Sequence, residues 1–137
     1  MYNKKYLPRK GETTPQVELN YENNQRTIRY SEVLLMAAEA NLRASSVNQA
    51  LAQTYLDRVR DRAFGDQDHR VTATVQAIWD ERRLELGMEG DRFFDLVRTG
   101  QATSVLGSRG YNSATKGLFP IPQREIEISG LSQNDGY

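Results

Sequence analysis

Apolar side chains recur at three- and four-residue intervals through the middle of this chain, and glycines cut the pattern into short lengths. That period is the signature of amphipathic helices. Tyr30, Val33, Leu34, Ala37, Ala38 and Leu42 keep the spacing and predict a helix from Arg29 to Ala44, in a stretch rich in the strong helix formers alanine and leucine. Ala52, Leu56, Val59 and Ala63 form the stripe of a second helix, Val47 to Phe64. Ser46 and Gln49 have capping-box spacing at its start, and Gly65 supplies its stop. A third helix is predicted from Thr72 to Met88, with Val75, Ile78, Trp79, Leu84, Leu86 and Met88 as its apolar members, broken at Gly90. A fourth, Asp91 to Arg98, starts on an acidic residue and ends at Gly100. Leu118-Phe119-Pro120-Ile121-Pro122 must be non-helical up to Pro122, which then opens a short helix through Ile128.

The organisation is that of one mainly α region spanning 1–137: an irregular lead-in (1–28), a helical core (29–100), and a loop, short helix and polar tail (101–137). A short strand is expected within the lead-in, near Gln16 to Leu19. The first two helices with their short polar link have the length of one tetratricopeptide repeat and should pack antiparallel, although no second copy of the pattern follows.

Composition narrows the function. Basic and acidic residues balance, 18 against 18, so nothing favours nucleic acid or an anionic membrane surface. There is no cysteine, which removes disulfides, thiolate nucleophiles and cysteine metal sites. Met1 to Tyr6 lacks an apolar stretch after its lysines and does not read as a signal peptide, and the longest apolar run, Val33 to Ala38, falls far short of the ~20 residues of a membrane span.

The densest chemistry lies between Glu81 and Asp95. Glu81, Glu85 and Glu89 fall four apart and share one helix face, where three carboxylates repel unless a metal or arginines intervene. A di-metal bundle would need Glu-x-x-His motifs, and the lone histidine, His69, stands in a loop outside any such motif. Glycoside cleavage would need two carboxylates across a cleft rather than along one helix. The expectation is a structural ion-pair network of Glu81, Arg82, Glu85, Glu89, Arg92, Asp95 and Arg98, with Arg83 nearby, Arg82–Glu85 and Arg92–Asp95 at i,i+3 spacing, and Gly90 bending the chain so that the charges of both helices meet. No catalytic residue, metal or cofactor is predicted. His69 has no nucleophile or acid partner in view, Trp79 is expected to pack in a core, and Ser108 lacks the first glycine of a nucleophile elbow. The candidate ligand contacts are Arg109, Tyr111, Asn112 and Lys116, in a long irregular loop from Gln101 to Gly117.

Five stretches, taken together and in order, resemble the C-terminal region of the SusD/RagB family of nutrient-binding outer-membrane lipoproteins. They are Arg29-Tyr30-Ser31-Glu32 running on to Ala40, Leu56-Asp57-Arg58-Val59-Arg60-Asp61-Arg62-Ala63, Glu81 to Gly100, Leu118-Phe119-Pro120-Ile121-Pro122 with Glu125-Ile126, and Gln133-Asn134-Asp135-Gly136-Tyr137. The departures are Ser31 where alanine is common, Gly87-Met88 in place of a bulkier pair, and Asp135 where the family usually has proline. The resemblance implies a helical SusD-like fold of tetratricopeptide-like pairs and no catalysis. It further implies capture of extracellular glycan, or in some members peptide, for delivery to a TonB-dependent, SusC-like transporter at the outer membrane of Bacteroidetes-type bacteria. The lipid anchor would lie outside this chain. A free-standing helical adaptor for a peptide or protein partner is the alternative from the helix pair alone.

Overall fold

A computed structural model describes Lys5 and residues 26–137, so the strand expected at Gln16–Leu19 lies outside the described residues. The described residues are helical and irregular, with six helices: α1 (Tyr30–Arg43), α2 (Gln49–Phe64), α3 (Val75–Glu85), α4 (Arg92–Arg98), α5 (Ala102–Leu106) and α6 (Gln123–Ser129). Two 3-10 turns, Gly107–Arg109 and Ser113–Thr115, punctuate the stretch before α6. The chain divides into two compact units, Met1–Met88 and Glu89–Tyr137.

In the first unit α1 packs on both α2 and α3. The core is the set that helical spacing brings to one side of each helix: Leu34, Leu35 and Ala38 from α1, Ala52, Leu56 and Val59 from α2, and Ile78 from α3, joined by Ala73. Leu35 is fully buried although it lies outside the predicted stripe, whereas Tyr30 and Val33, inside it, are exposed. The buried arc of α1 is therefore rotated from the expected one, because α1 has to meet two neighbours at once.

The ends of the helices correct the sequence reading in three places. Helix α2 starts later than Val47, and its cap is Asn48, whose side-chain oxygen accepts from the Leu51 N–H at 3.0 Å, rather than the Ser46/Gln49 box. Gln49 is used differently: its amide donates to the Ala73 carbonyl at 2.7 Å, while Gln53 accepts from the Ala73 N–H at 2.7 Å and donates to the Val71 carbonyl at 2.8 Å. Two glutamines one turn apart thus clip the segment before α3 along α2. That segment cannot be helical while its backbone groups are taken, so α3 starts at Val75, capped by the Thr74 hydroxyl, and not at Thr72. At the other end α3 stops at Glu85. Lys5 Nζ donates to the Glu85 carbonyl at 2.5 Å and to the Gly87 carbonyl at 3.2 Å, and Arg29 donates to the Glu85 carbonyl at 2.9 Å. Cations on the last carbonyls complete the helix end. Leu84 and Met88, expected on the apolar face, are exposed, and Met88 takes a left-handed φ of 67°.

The second unit has little buried apolar surface, chiefly Leu96 and Ala102. Its order comes from turns. Gly117, at φ +79°, lies so close to Val97 that an added Cβ would stand 2.5 Å from that side chain. The loop expected from Gln101 to Gly117 contains α5 and both 3-10 turns.

Candidate functional site

The glutamates of α3 face arginines that come from elsewhere in the first unit. Glu81, 4% exposed, is bonded to Arg60 of α2. Glu85 accepts from Arg29 at 2.7 Å and from Arg62 at 2.5 Å. Arg82 lies 3.5 Å from Glu32 of α1. Three of the five sequence stretches therefore interlock: Arg29, Arg60 and Arg62, from the first two, meet acids of the Glu81 stretch, and Arg82 of that stretch meets Glu32 of the first. Sequence spacing pointed to the charges on α3 and missed Arg29, Arg60 and Arg62 as partners. The paired arginines Arg60 and Arg62 are two apart in α2, a spacing that does not announce a shared target.

Burial pushes the Glu85 carboxyl up, but hydrogen bonds from Arg29 and Ser31 and the nearby Arg62 outweigh it and hold it below its ordinary value. Arg70 makes a two-pronged bond to Asp61, at 2.9 and 2.5 Å, and this bond holds the Asp61 carboxyl low. His69, unassigned in sequence, stacks on Phe64 with centroids 4.1 Å apart and places Nδ1 2.8 Å from Asp66. Trp79 is part-buried, and its indole N–H is enclosed without an acceptor among the described residues. No group of three or more His, Asp or Glu side chains is gathered as metal ligands among the described residues.

In the second unit Asp95 accepts from Arg98 at 2.8 Å, while Glu89 and Arg92 are part-buried. Here the fourth and fifth sequence stretches interlock, through neutral bonds. Gln133 grips Ile121 at both backbone groups, accepting from its N–H at 2.8 Å and donating to its carbonyl at 2.9 Å. Asn134 donates to the Phe119 carbonyl at 2.7 Å, and the Tyr137 hydroxyl donates to the Leu118 carbonyl at 2.8 Å. Asn112 donates to the Gly136 carbonyl at 3.1 Å and accepts from the Ala114 N–H. Gly136, at φ +91°, sits where an added Cβ would be 2.9 Å from the Thr115 backbone nitrogen. Asp135 lies 3.7 Å from Lys116 in an exposed pair.

Two hollows result. One, of about 360 Å³, opens between α1 and α2 and is lined by Arg29, Tyr30, Ser31, Arg58 and Arg62 with Leu34 and Val59 beneath, Arg58 lying over the Tyr30 ring at 5.4 Å. The other, of about 340 Å³, lies wholly in the second unit, among Phe93, Tyr111, Leu118, Phe119 and Tyr137 with Asn112 and Thr115. Phe93 is its hub, 5.3 Å from Phe119 and 6.3 Å from Tyr111 between centroids. Of the four loop residues singled out in sequence, Tyr111 and Asn112 line this hollow, and Arg109 and Lys116 do not. Phe93, Phe119 and Tyr137 were missed, since nothing in local spacing joins three aromatics so far apart in the chain.

The SusD family model matches residues 1–137. SusD-like protein P25 of Formosa agariphila is 30% identical across 86% of this chain and 26% of its own length, and SusD-like protein P2 of the same organism is 30% identical across 83% and 26%. A solved laminarin-binding SusD-like protein superposes with a TM-score of 0.81 at 38% identity, covering 96% of this chain and 28% of the other. Surface glycan-binding protein A from Bacteroides thetaiotaomicron, solved in complex with laminarihexaose, superposes with a TM-score of 0.71 at 41% identity, covering 84% and 26%. This chain thus spans about a quarter of the curated relatives it matches. The helical core, the interlocking stretches and the match along all 137 residues lead to one conclusion: the chain belongs to the SusD family.

Proposed function

We propose that this chain serves, as part of a longer surface lipoprotein, in the non-catalytic capture of extracellular glycan for delivery to a TonB-dependent, SusC-like transporter at the outer membrane. The observation that carries the reading is its 41% identity to a surface glycan-binding protein solved with laminarihexaose bound. The internal geometry supports it. The buried acids of α3 are tied to arginines, which suits a scaffold rather than a hydrolytic pair. The 109–116 loop, which carries Arg109, Tyr111, Asn112 and Lys116, is the proposed ligand-facing part of this chain, with Tyr111 and Asn112 at an aromatic hollow.

The test is calorimetric titration of the full-length protein with a panel of soluble glycans, alongside affinity purification from detergent-solubilised membranes. Saturable binding without any release of reducing ends, and co-purification of a TonB-dependent transporter, are the expected outcomes. Turnover of a bound glycan would overturn the non-catalytic reading, and a protein that binds a peptide partner but no glycan would restore the adaptor.

A further inference from the structure

The terminal turn leaves one of its side chains unused. Gln133, Asn134 and the Tyr137 hydroxyl are each bonded to the backbone of residues 118–121. Asp135, between them, accepts no hydrogen bond among the described residues, and its ion-pair partner Lys116 stands 3.7 Å away. The Gly136 N–H is likewise unbonded among the described residues, although the Gly136 carbonyl is taken by Asn112. Residue 136 has to be glycine, because its φ is +91° and an added Cβ would stand 2.9 Å from the Thr115 nitrogen. The fold therefore sets, beside a loosely held carboxyl, the one residue with no side chain to hinder attack by its own amide nitrogen. This is the one Asp-Gly pair in the chain, and Asp135 stands where the family usually has proline, which carries no carboxyl.

We propose that Asp135–Gly136 is a site of spontaneous isoaspartate formation, which unfastens the end of the chain from Asn112. The Gly136 nitrogen attacks the Asp135 Cγ. The nitrogen gives up its proton and the carboxyl its hydroxyl, so one water leaves and a five-membered succinimide forms. Water then adds to a carbonyl carbon of that ring. Addition at the former main-chain carbonyl breaks its bond to the Gly136 nitrogen, which leaves Gly136 joined through Cγ and the main-chain carbon as a free carboxylate. The water lost is regained, and nothing is oxidised or reduced. The main chain is now one carbon longer between Asn134 and Gly136. The bond from Asn112 to the Gly136 carbonyl, at 3.1 Å, and the bond from Tyr137 to the Leu118 carbonyl, at 2.8 Å, depend on the original spacing and lose register. Asn112 also accepts from the Ala114 N–H at 3.0 Å, so its release loosens that amide as well.

The experiment is prolonged incubation of the folded, full-length protein, followed by digestion and mass spectrometry of its C-terminal peptide. Isoaspartate is read as a peptide of unchanged mass and altered retention, and as methyl transfer to that peptide by a protein isoaspartyl methyltransferase. Wild type should accumulate it with time. Asp135→Glu keeps the charge but would have to close a six-membered ring, and the signal should be lost. Asp135→Asn reaches the same succinimide with ammonia leaving in place of water, and should convert several-fold faster. Hydrogen exchange at the Ala114 amide should rise in aged wild type and stay unchanged in Asp135→Glu aged beside it. Absence of isoaspartate from the folded wild type overturns the proposal, whether or not Asp135→Asn or the urea-unfolded chain converts. Isoaspartate formed with unchanged exchange at Ala114 overturns the link to Asn112.

Discussion

The two units of this chain are ordered by different physics. Met1–Met88 has a core of leucine, valine, isoleucine and alanine from three helices, with its acids buried against arginines of other segments. Glu89–Tyr137 has short helices, little buried apolar surface and a lattice of side-chain bonds to backbone carbonyls and amides. Burial of apolar area is cheap to encode and tolerant of detail, since any residue of suitable size on the right helix face will serve. A hydrogen-bonded turn is specific: each amide has a named acceptor, and a glycine is required where the backbone turns left-handed against a neighbour. The first unit thus reads as scaffold, and the second as the part free to keep aromatic rings uncovered.

The contrast can be broken at several strengths. The largest effect should come from Leu56→Ala, which empties a fully buried position between the helices. A loss of about 2–5 kcal/mol is expected by chemical denaturation. A loss below about 1 kcal/mol would mean that the helical core is not what holds the first unit.

Glu85→Ala should follow, at about 3 kcal/mol, because it removes a nearly buried carboxylate that accepts from both Arg29 and Arg62. The conservative Glu85→Gln also tests the charge through pH. The folded-state carboxyl titrates below its ordinary value. Its contribution is therefore complete above that ordinary value and is lost as pH falls through the lowered one. Wild type should lose Tm on acidification below about pH 5 more steeply than the variant, and parallel curves would sink the ion-pair account.

In the second unit Gly136→Ala should cost about 1–2 kcal/mol, from a disfavoured φ and a clash at Thr115. Because Gln133 covers the Ile121 N–H, hydrogen exchange at that amide should rise while exchange in α2 stays unchanged. Rising exchange in both units would mean that they do not unfold separately. Asn48→Ala, which removes only the cap of α2, should cost about 1 kcal/mol. The smallest effect is expected for Arg43→Ala, below about 0.5 kcal/mol, since Arg43 is more than half exposed in its pair with Glu39. Thermal melts would rank these last two.

All five predicted helices are present, and in the first three the spacing of Leu34, Ala38, Leu56, Val59 and Ile78 is a local property that the backbone period reads out directly. Their ends were less legible. Thr72 and Met88 looked helical, but Gln53 holds the backbone ahead of α3, and Lys5 and Arg29 close its far end. Both effects come from residues remote in sequence. The site was legible by half. Tyr111 and Asn112 stood out as an aromatic and an amide in an irregular loop, while Phe119 and Tyr137 were visible only as members of family-like stretches.

The sequence by itself determined where helices run, where glycines stop them and to which family the chain belongs, since period, turn chemistry and ordered motifs are all local. Only the tertiary structure decided which arginines meet Glu81 and Glu85, and which rings gather around Phe93. Those contacts join residues separated by tens of positions, and a pairing at that range is set by how the elements pack, which no spacing along one element records.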